Sequence, residues 1–475
     1  MVAVSPSGPI GAQPGGQPDP DKAIEELMKL LGSLGAPLGG TDPTTNSQGD
    51  PTVINSVNNP FGFALPPELL NSLGAFGGLG GLGNLRGFGL GATSGATSTG
   101  KLNLDVARQL AHLVATKNTV EPNVDPLVRI RYEELARIAE LHVGDATGLV
   151  VPALATTPVV LCTPSEWAGR ALIAYDNYLN ALADALESSG GLLGGLDSDA
   201  LSDADGISED MSGDALRAMM NNFAQLLQPL LLGMQAGFMV GHLATDVFGQ
   251  YDLPIPWTPR NELTVIPSHI DGFAAEWDLN LDDVRLYVMI HQIAMHAVIA
   301  RPHVRQRLDT LLAQYCSGFS PDTQAIREKF EGLDGSDMAQ IQDALNDPRE
   351  LLAAMQTPQQ LDTLNLIQAI VVAIVGYVDD VVAQTAPKLM SSAPIIDEAL
   401  RRKRATESEG RRFVERLLGI ELERAQYERG QRFVEGVRER DSDALNRLWR
   451  GVRFLPTPAE VDAPGLWLAR TELDN

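Results

Sequence analysis

The sequence predicts a mainly α-helical protein with a few short strands, preceded by a disordered tail. Three observations carry this reading. From about Asn103 onward, apolar residues recur every three or four positions in run after run, the period of a helix with one buried face. Two short stretches are apolar and β-branched in the manner of strands, Val159-Val160-Leu161-Cys162 and Leu263-Thr264-Val265-Ile266-Pro267. Residues 1–100 are dominated by Gly, Pro, Ser and Thr, as in Gly77-Gly78-Leu79-Gly80-Gly81-Leu82-Gly83. Such a segment buries too little apolar surface to offset the entropy of ordering it.

Two short helical islands are expected in the tail, Asp21 to Leu31 and Pro66 to Phe76. Residues 101–475 form the second region, read as one helical domain. Its first helix spans Asn103 to Thr116. The second, from about Asp125 to His142, is expected to turn Leu127, Ile130, Tyr132, Leu135, Ile138 and Leu141 inward. After the first strand, Thr163-Pro164-Ser165-Glu166 opens a helix by two rules at once. Thr163 caps it with Glu166 reaching back, and Pro164 suits the first turn. That helix ends near Ser189-Gly190-Gly191.

Residues 190–213 are acidic and rich in Gly, Ser and Asp, and read as a solvated loop. Leu201 and Ser212 occupy the first and last ligand positions of a calcium-loop template, which therefore fails. Asp214 to Gly249 is a long apolar helical stretch broken by Pro229. Gly233, Gly237 and Gly241 recur every four residues there, which lets another backbone approach closely. Gln225, Gln228, Gln235, His242 and Asp246 argue for a buried core helix over a membrane span. Leu366 to Val378 is also apolar, but too short to span a bilayer, which takes ~20 residues; a buried helix is expected.

The 475 residues carry a formal net charge of -25. That excludes nucleic acid as a main partner, since phosphate binding calls for a basic field. The basic run Arg401-Arg402-Lys403-Arg404 sits among acids and reads as a solvated helix face. Cys162 and Cys316 are far apart, in no metal-ligand spacing, and are expected to be free buried thiols of a cytoplasmic protein.

The chemistry concentrates on a helix expected from about Asp282 to Ala300, with Asn280 as its cap. Ile290-His291-Gln292-Ile293-Ala294-Met295-His296 almost spells His-Glu-x-x-His, the zinc-protease signature. In that motif two histidines at i and i+4 grip the metal and the Glu is the general base. Val284, Val288, His291, Met295 and Val298 form one apolar stripe, so His291 is expected to point into the core with its ring nitrogens hydrogen-bonded. His296, five residues after His291, is rotated about 140° around the helix and cannot join it on one ion without a π-bulge.

Several stretches together resemble one family. They include Glu140-Leu141-His142-Val143-Gly144-Asp145, Pro164-Ser165-Glu166-Trp167, Phe248-Gly249-Gln250-Tyr251-Asp252-Leu253-Pro254, Arg285 to His291, Gly376-Tyr377-Val378-Asp379 and Leu445-Asn446-Arg447-Leu448-Trp449. Over nearly all of 103–474 the chain resembles the zincin-like metallopeptidase family found mainly in actinobacteria. Its members carry the label of hydrolase or of association with deazaflavin-coenzyme biosynthesis. The resemblance implies a zincin-like fold. It also implies that the metal helix is the one carrying His291, and that a third ligand, a Glu just before a Gly on a later helix, falls on Val375. Only His291 survives as a ligand. Gln292 stands at the general-base position, and Met295 and Val375 stand at lost ligand positions.

Two functional expectations follow from the resemblance. The first is a catalytically inactive pseudo-peptidase, acting as a binding or scaffold protein for a protein partner, with no cofactor and no transmembrane span. The second is an active metal-dependent hydrolase with a site rebuilt from His291, His296 and Asp379 or Asp380, in which case zinc is the cofactor. Oligomeric state stays open.

Overall fold

A computed structural model of the chain describes residues 102–117, 119–149, 158–188, 229, 232–257, 262–319, 357–406, 418–420, 422–441 and 443–473. The chain divides into two units, and every described residue belongs to the one that takes in 92–475. The Gly/Pro-rich tail with its two islands, the acidic loop 190–213 and most of 214–231 lie outside the described residues.

Helices start where the local chemistry supplies caps. Asn103 Oδ1 accepts from Val106 N at 3.1 Å and starts α1 (Leu104–Thr116). Asp125 accepts from Leu127 N and starts α2 (Pro126–Thr147). Thr163 and Glu166 bond each other's backbone N–H, at 3.0 and 3.3 Å, in the box read from sequence; it opens α3 (Pro164–Ser188). Each such bond satisfies an N–H that has no partner within its own helix.

The strands β1 (Val159–Leu161) and β2 (Leu263–Val265) pair in parallel, with Val159 opposite Leu263 and Leu161 opposite Val265. Between them in sequence lies a helix over 232–244, α4. Its glycines meet α1 backbone to backbone. A Cβ on Gly233 would stand 2.5 Å from the Asn103 carbonyl oxygen, and one on Gly237 2.5 Å from that of Ala107.

After β2 come α5 (Pro267–Glu276), α6 (Leu281–Ile299) and α7 (Pro302–Ser317). The Asn280 side chain accepts from Asp283 N and caps α6, as read. Arg285 of α6 grips Asp271 of α5 with two bonds of 2.8 and 2.6 Å and lies over the Tyr132 ring of α2. Then follow α8 (Pro358–Leu389), α9 (Ala393–Ala405), α10 (Arg424–Arg438) and the short α11 (Pro458–Asp462) and α12 (Pro464–Leu473). The core sits where α8 meets α10, α6, α7 and α2. At the α8–α10 crossing, a Cβ on Gly376 would fall 2.4 Å from the backbone of Gly430, so side chains are excluded from both helices there.

Two expectations change. Tyr132 and Leu135 of α2 are buried as expected, but Leu127, Ile130, Ile138 and Leu141 are exposed, and Ala136, Ala139 and Val143 complete the buried face. The helix carries two apolar stripes, and the one with small residues packs closer to α6. The apolar run at 366–378 is part of a 32-residue helix, so length does not exclude a span. Among the described residues α8 is the one helix long and apolar enough to cross a membrane. Its apolarity is accounted for by burial: 78% of its most apolar window is enclosed by the protein.

Candidate functional site

The third turn of α6 carries the candidate site because β2 and the turn before it pack on one side of this helix and α8–α10 on the other. On the β2 side, residues 248–252 fold into a tight turn ending in the 3-10 segment Gln250–Asp252. Gln292 fastens this turn to α6. Its Oε1 accepts from Tyr251 N at 2.9 Å, and its Nε2 donates to Asp252 Oδ1 at 2.8 Å. Asp252 Oδ2 in turn accepts from Phe248 N at 2.7 Å. The amide orientation is fixed by its partners, since one can only donate and the other is a carboxylate. Gly249 makes room: a Cβ there would lie 3.0 Å from Gln292 Oε1 and 2.8 Å from the Thr264 carbonyl oxygen.

His296, one turn further, is also held on this side. Its Nδ1 and the Tyr251 hydroxyl are 2.8 Å apart, while its buried Nε2 has no protein partner. Burial, with a smaller push from the Arg305 guanidinium, lowers the imidazole to about 4.

The other side of α6 opens onto a pocket of about 50 Å³, enough for a few water molecules. His291, Gln292, Met295 and Val375 all line it. The structure therefore brings the four positions singled out on the sequence to one place. The pocket is completed by Asp246 and Asp252 from the β2 side and by Lys403 and Arg404 from α9, with Tyr427 from α10. Lys403 is paired with Asp246 and lies over the Phe248 ring; Arg404 lies over the Tyr427 ring.

His291 differs from the expectation. Its ring is not a satisfied core group but faces the pocket with no hydrogen bond to any of the described residues. Burial, reinforced by the charge of Arg404, lowers it to about 3, so it is neutral at ordinary pH. The basic run also differs. Arg401 and Arg402 are the solvated half, paired with Asp397 and Glu398, whereas Lys403 and Arg404 turn into the pocket. Nothing in a run of four basic residues marks which pair faces in; the helical offset from buried Ala399 and Leu400 does so only once the packing is known. Tyr251 and Asp252 were legible as part of a family stretch but carried no sequence signal of a role.

His296, Asp379 and Asp380 are not brought together. His296 is engaged by Tyr251, Asp379 by Arg404 at 3.4 Å, and Asp380 by Arg438 and Gln384. Among the described residues, no three His, Cys, Asp or Glu side chains gather in a way that could hold a metal ion.

This helical architecture, with its near-motif helix beside a two-stranded sheet, defines a zincin-like protein. A zincin-like metallopeptidase family model matches residues 102–468, and the chain belongs to that family. A solved structure from Chloroflexus aurantiacus, described as "a putative hydrolase with a novel fold", is similar to it. Its TM-score is 0.52 at 22% identity, over 78% of this chain and 99% of that one. At that identity the likeness is one of fold. No curated protein matches the chain.

The family typically holds zinc, and the residues present here do not fit that ion. His291 is the one imidazole on the pocket. Both oxygens of Asp252 already accept hydrogen bonds. A thioether at Met295 and a hydrocarbon at Val375 cannot replace imidazole and carboxylate as zinc ligands. Lys403 and Arg404 stand in the same lining and already engage the carboxylates of Asp246 and Asp379.

Proposed function

We propose that this chain is a non-catalytic member of the zincin-like family that acts as a binding or scaffold protein. One observation carries the reading. Gln292 stands where the family's Glu base stands, and it is tied at both ends, to Tyr251 N and to Asp252. A general base needs a free lone pair of suitable basicity, and an amide provides neither. The substitutions at Met295 and Val375 support it independently. A rebuilt metal site would have to free His296 from Tyr251 and Asp379 from Arg404 before any ligand could turn inward. With Cys162 and Cys316 both free and buried, a reducing cytoplasm is the compartment we propose for it.

Metal analysis of protein purified without chelators, together with a peptide-cleavage assay, tests this. The expected result is a folded protein without stoichiometric zinc and without cleavage above background. About one zinc per chain, lost on His291→Ala and accompanied by hydrolysis, would overturn it.

A further inference from the structure

The pocket beside His291 contains a guanidinium with unused donors. Arg404 has five N–H bonds in a planar fork. Only Nη1 is engaged, by the two oxygens of Asp379, each at a long 3.4 Å. Among the described residues the Nε–H and Nη2–H edge has no partner, although the side chain lines the pocket and is 23% exposed. His291, on the same lining, has neither ring nitrogen bonded. Two polar groups facing a small cavity with donors to spare are costly to leave dry, so the pocket holds water or a ligand that accepts.

The rest of the lining narrows the chemistry. Lys403 is taken up by Asp246, and Asp252 is held by Gln292 and the Phe248 N–H. With Asp379 on Arg404, three carboxylates stand about two cations. A dianion would meet that excess of negative charge twice over, whereas a monoanion adds a single charge beside the fork. The fork's side-on donor pair matches the planar oxygens of a carboxylate. The cavity of about 50 Å³ admits one such head group and little more.

We propose that this pocket binds a monocarboxylate, its oxygens taken side-on by Nε–H and Nη2–H of Arg404 with His291 donating from the α6 side. The site replaces the family's cation site with one for an anion, and in that sense it rests on the non-catalytic reading above.

The test uses the full chain, stripped of metal, titrated with acetate at constant ionic strength and followed by the NMR signals of the His291 ring. We expect a saturable shift in the millimolar range with a higher Tm, and weaker binding of inorganic phosphate. Arg404→Gln is expected to weaken acetate at least about tenfold. Arg402→Gln, on the exposed face of the same helix, leaves it unchanged. Should Arg404→Gln fail to fold, His291→Leu serves, read by the acetate-dependent rise in Tm, which is expected to shrink. No saturable His291 shift in folded wild-type protein, wild-type affinity in folded Arg404→Gln or His291→Leu, or tighter phosphate than acetate would each overturn the carboxylate site. The first of these in a zinc-free, inactive protein leaves the non-catalytic reading standing; stoichiometric zinc with cleavage removes that reading instead.

Discussion

His291 and Gln292 are neighbours on α6, yet their side chains live in opposite circumstances. Gln292 is buried, with its acceptor and a donor each matched, and it ties the 248–252 turn to the helix. His291 has no hydrogen bond among the described residues and opens onto a pocket that Gln292 also lines. The polar groups of one fix backbone, and those of the other face the cavity.

The largest break in this contrast is expected from Gln292→Leu. It strands the Asp252 carboxylate and the Tyr251 N–H, at a cost of about 3–5 kcal/mol in urea unfolding. Gln292→Glu places a second carboxylate against Asp252. It should lose about 1–3 kcal/mol at neutral pH and recover in acid, as one of the pair takes a proton. A Gln292→Glu protein as stable as wild type would end the idea that the base position has become structural.

Gly376→Ala forces α8 from α10 and shifts Val375 on the pocket wall. About 1–3 kcal/mol is expected, with the Gln292 side unaltered by NMR. His296→Phe leaves the Tyr251 hydroxyl unpaired and should cost about 1–2 kcal/mol. His291→Ala is expected to change stability at neutral pH by less than about 1 kcal/mol, the range of sites away from packed or bonded features.

The pH dependence separates the same two histidines from the surface. Both are held neutral when folded, His291 down to about 3 and His296 down to about 4, against 6.5 when free. Between those values the unfolded chain binds more protons, so this part of the stability is complete above pH 6.5 and is lost as pH falls toward 4. Thermal melts should show a steeper decline over that window in wild type than in His296→Phe or His291→Ala. Identical slopes would mean that neither ring is held neutral.

Much of the fold was legible because its signals are local. Thr163 with Glu166 and Asn280 cap helices where a cap was read, Asn103 caps the helix it was read to begin, and both strands pair. The face of α2 was not, because Leu127, Ile130, Ile138 and Leu141 form a stripe as regular as the buried one, and periodicity cannot say which stripe meets α6. At the site, the motif positions were readable by spacing, but Arg404 and Tyr251 were not. Their roles arise from contacts far apart in sequence, Tyr251 with His296 and Arg404 with Asp379 and Tyr427.

The length and apolarity of α8 have a consequence for how the protein is made. Its most extensive partner, α10, lies downstream, and 49 residues separate Leu389 from Arg438. At about 5–20 residues per second of synthesis, that is several seconds during which a membrane-grade helix is complete on the ribosome and its cover is not. Over that interval the nascent chain would present to targeting factors and chaperones the same face that the finished protein hides.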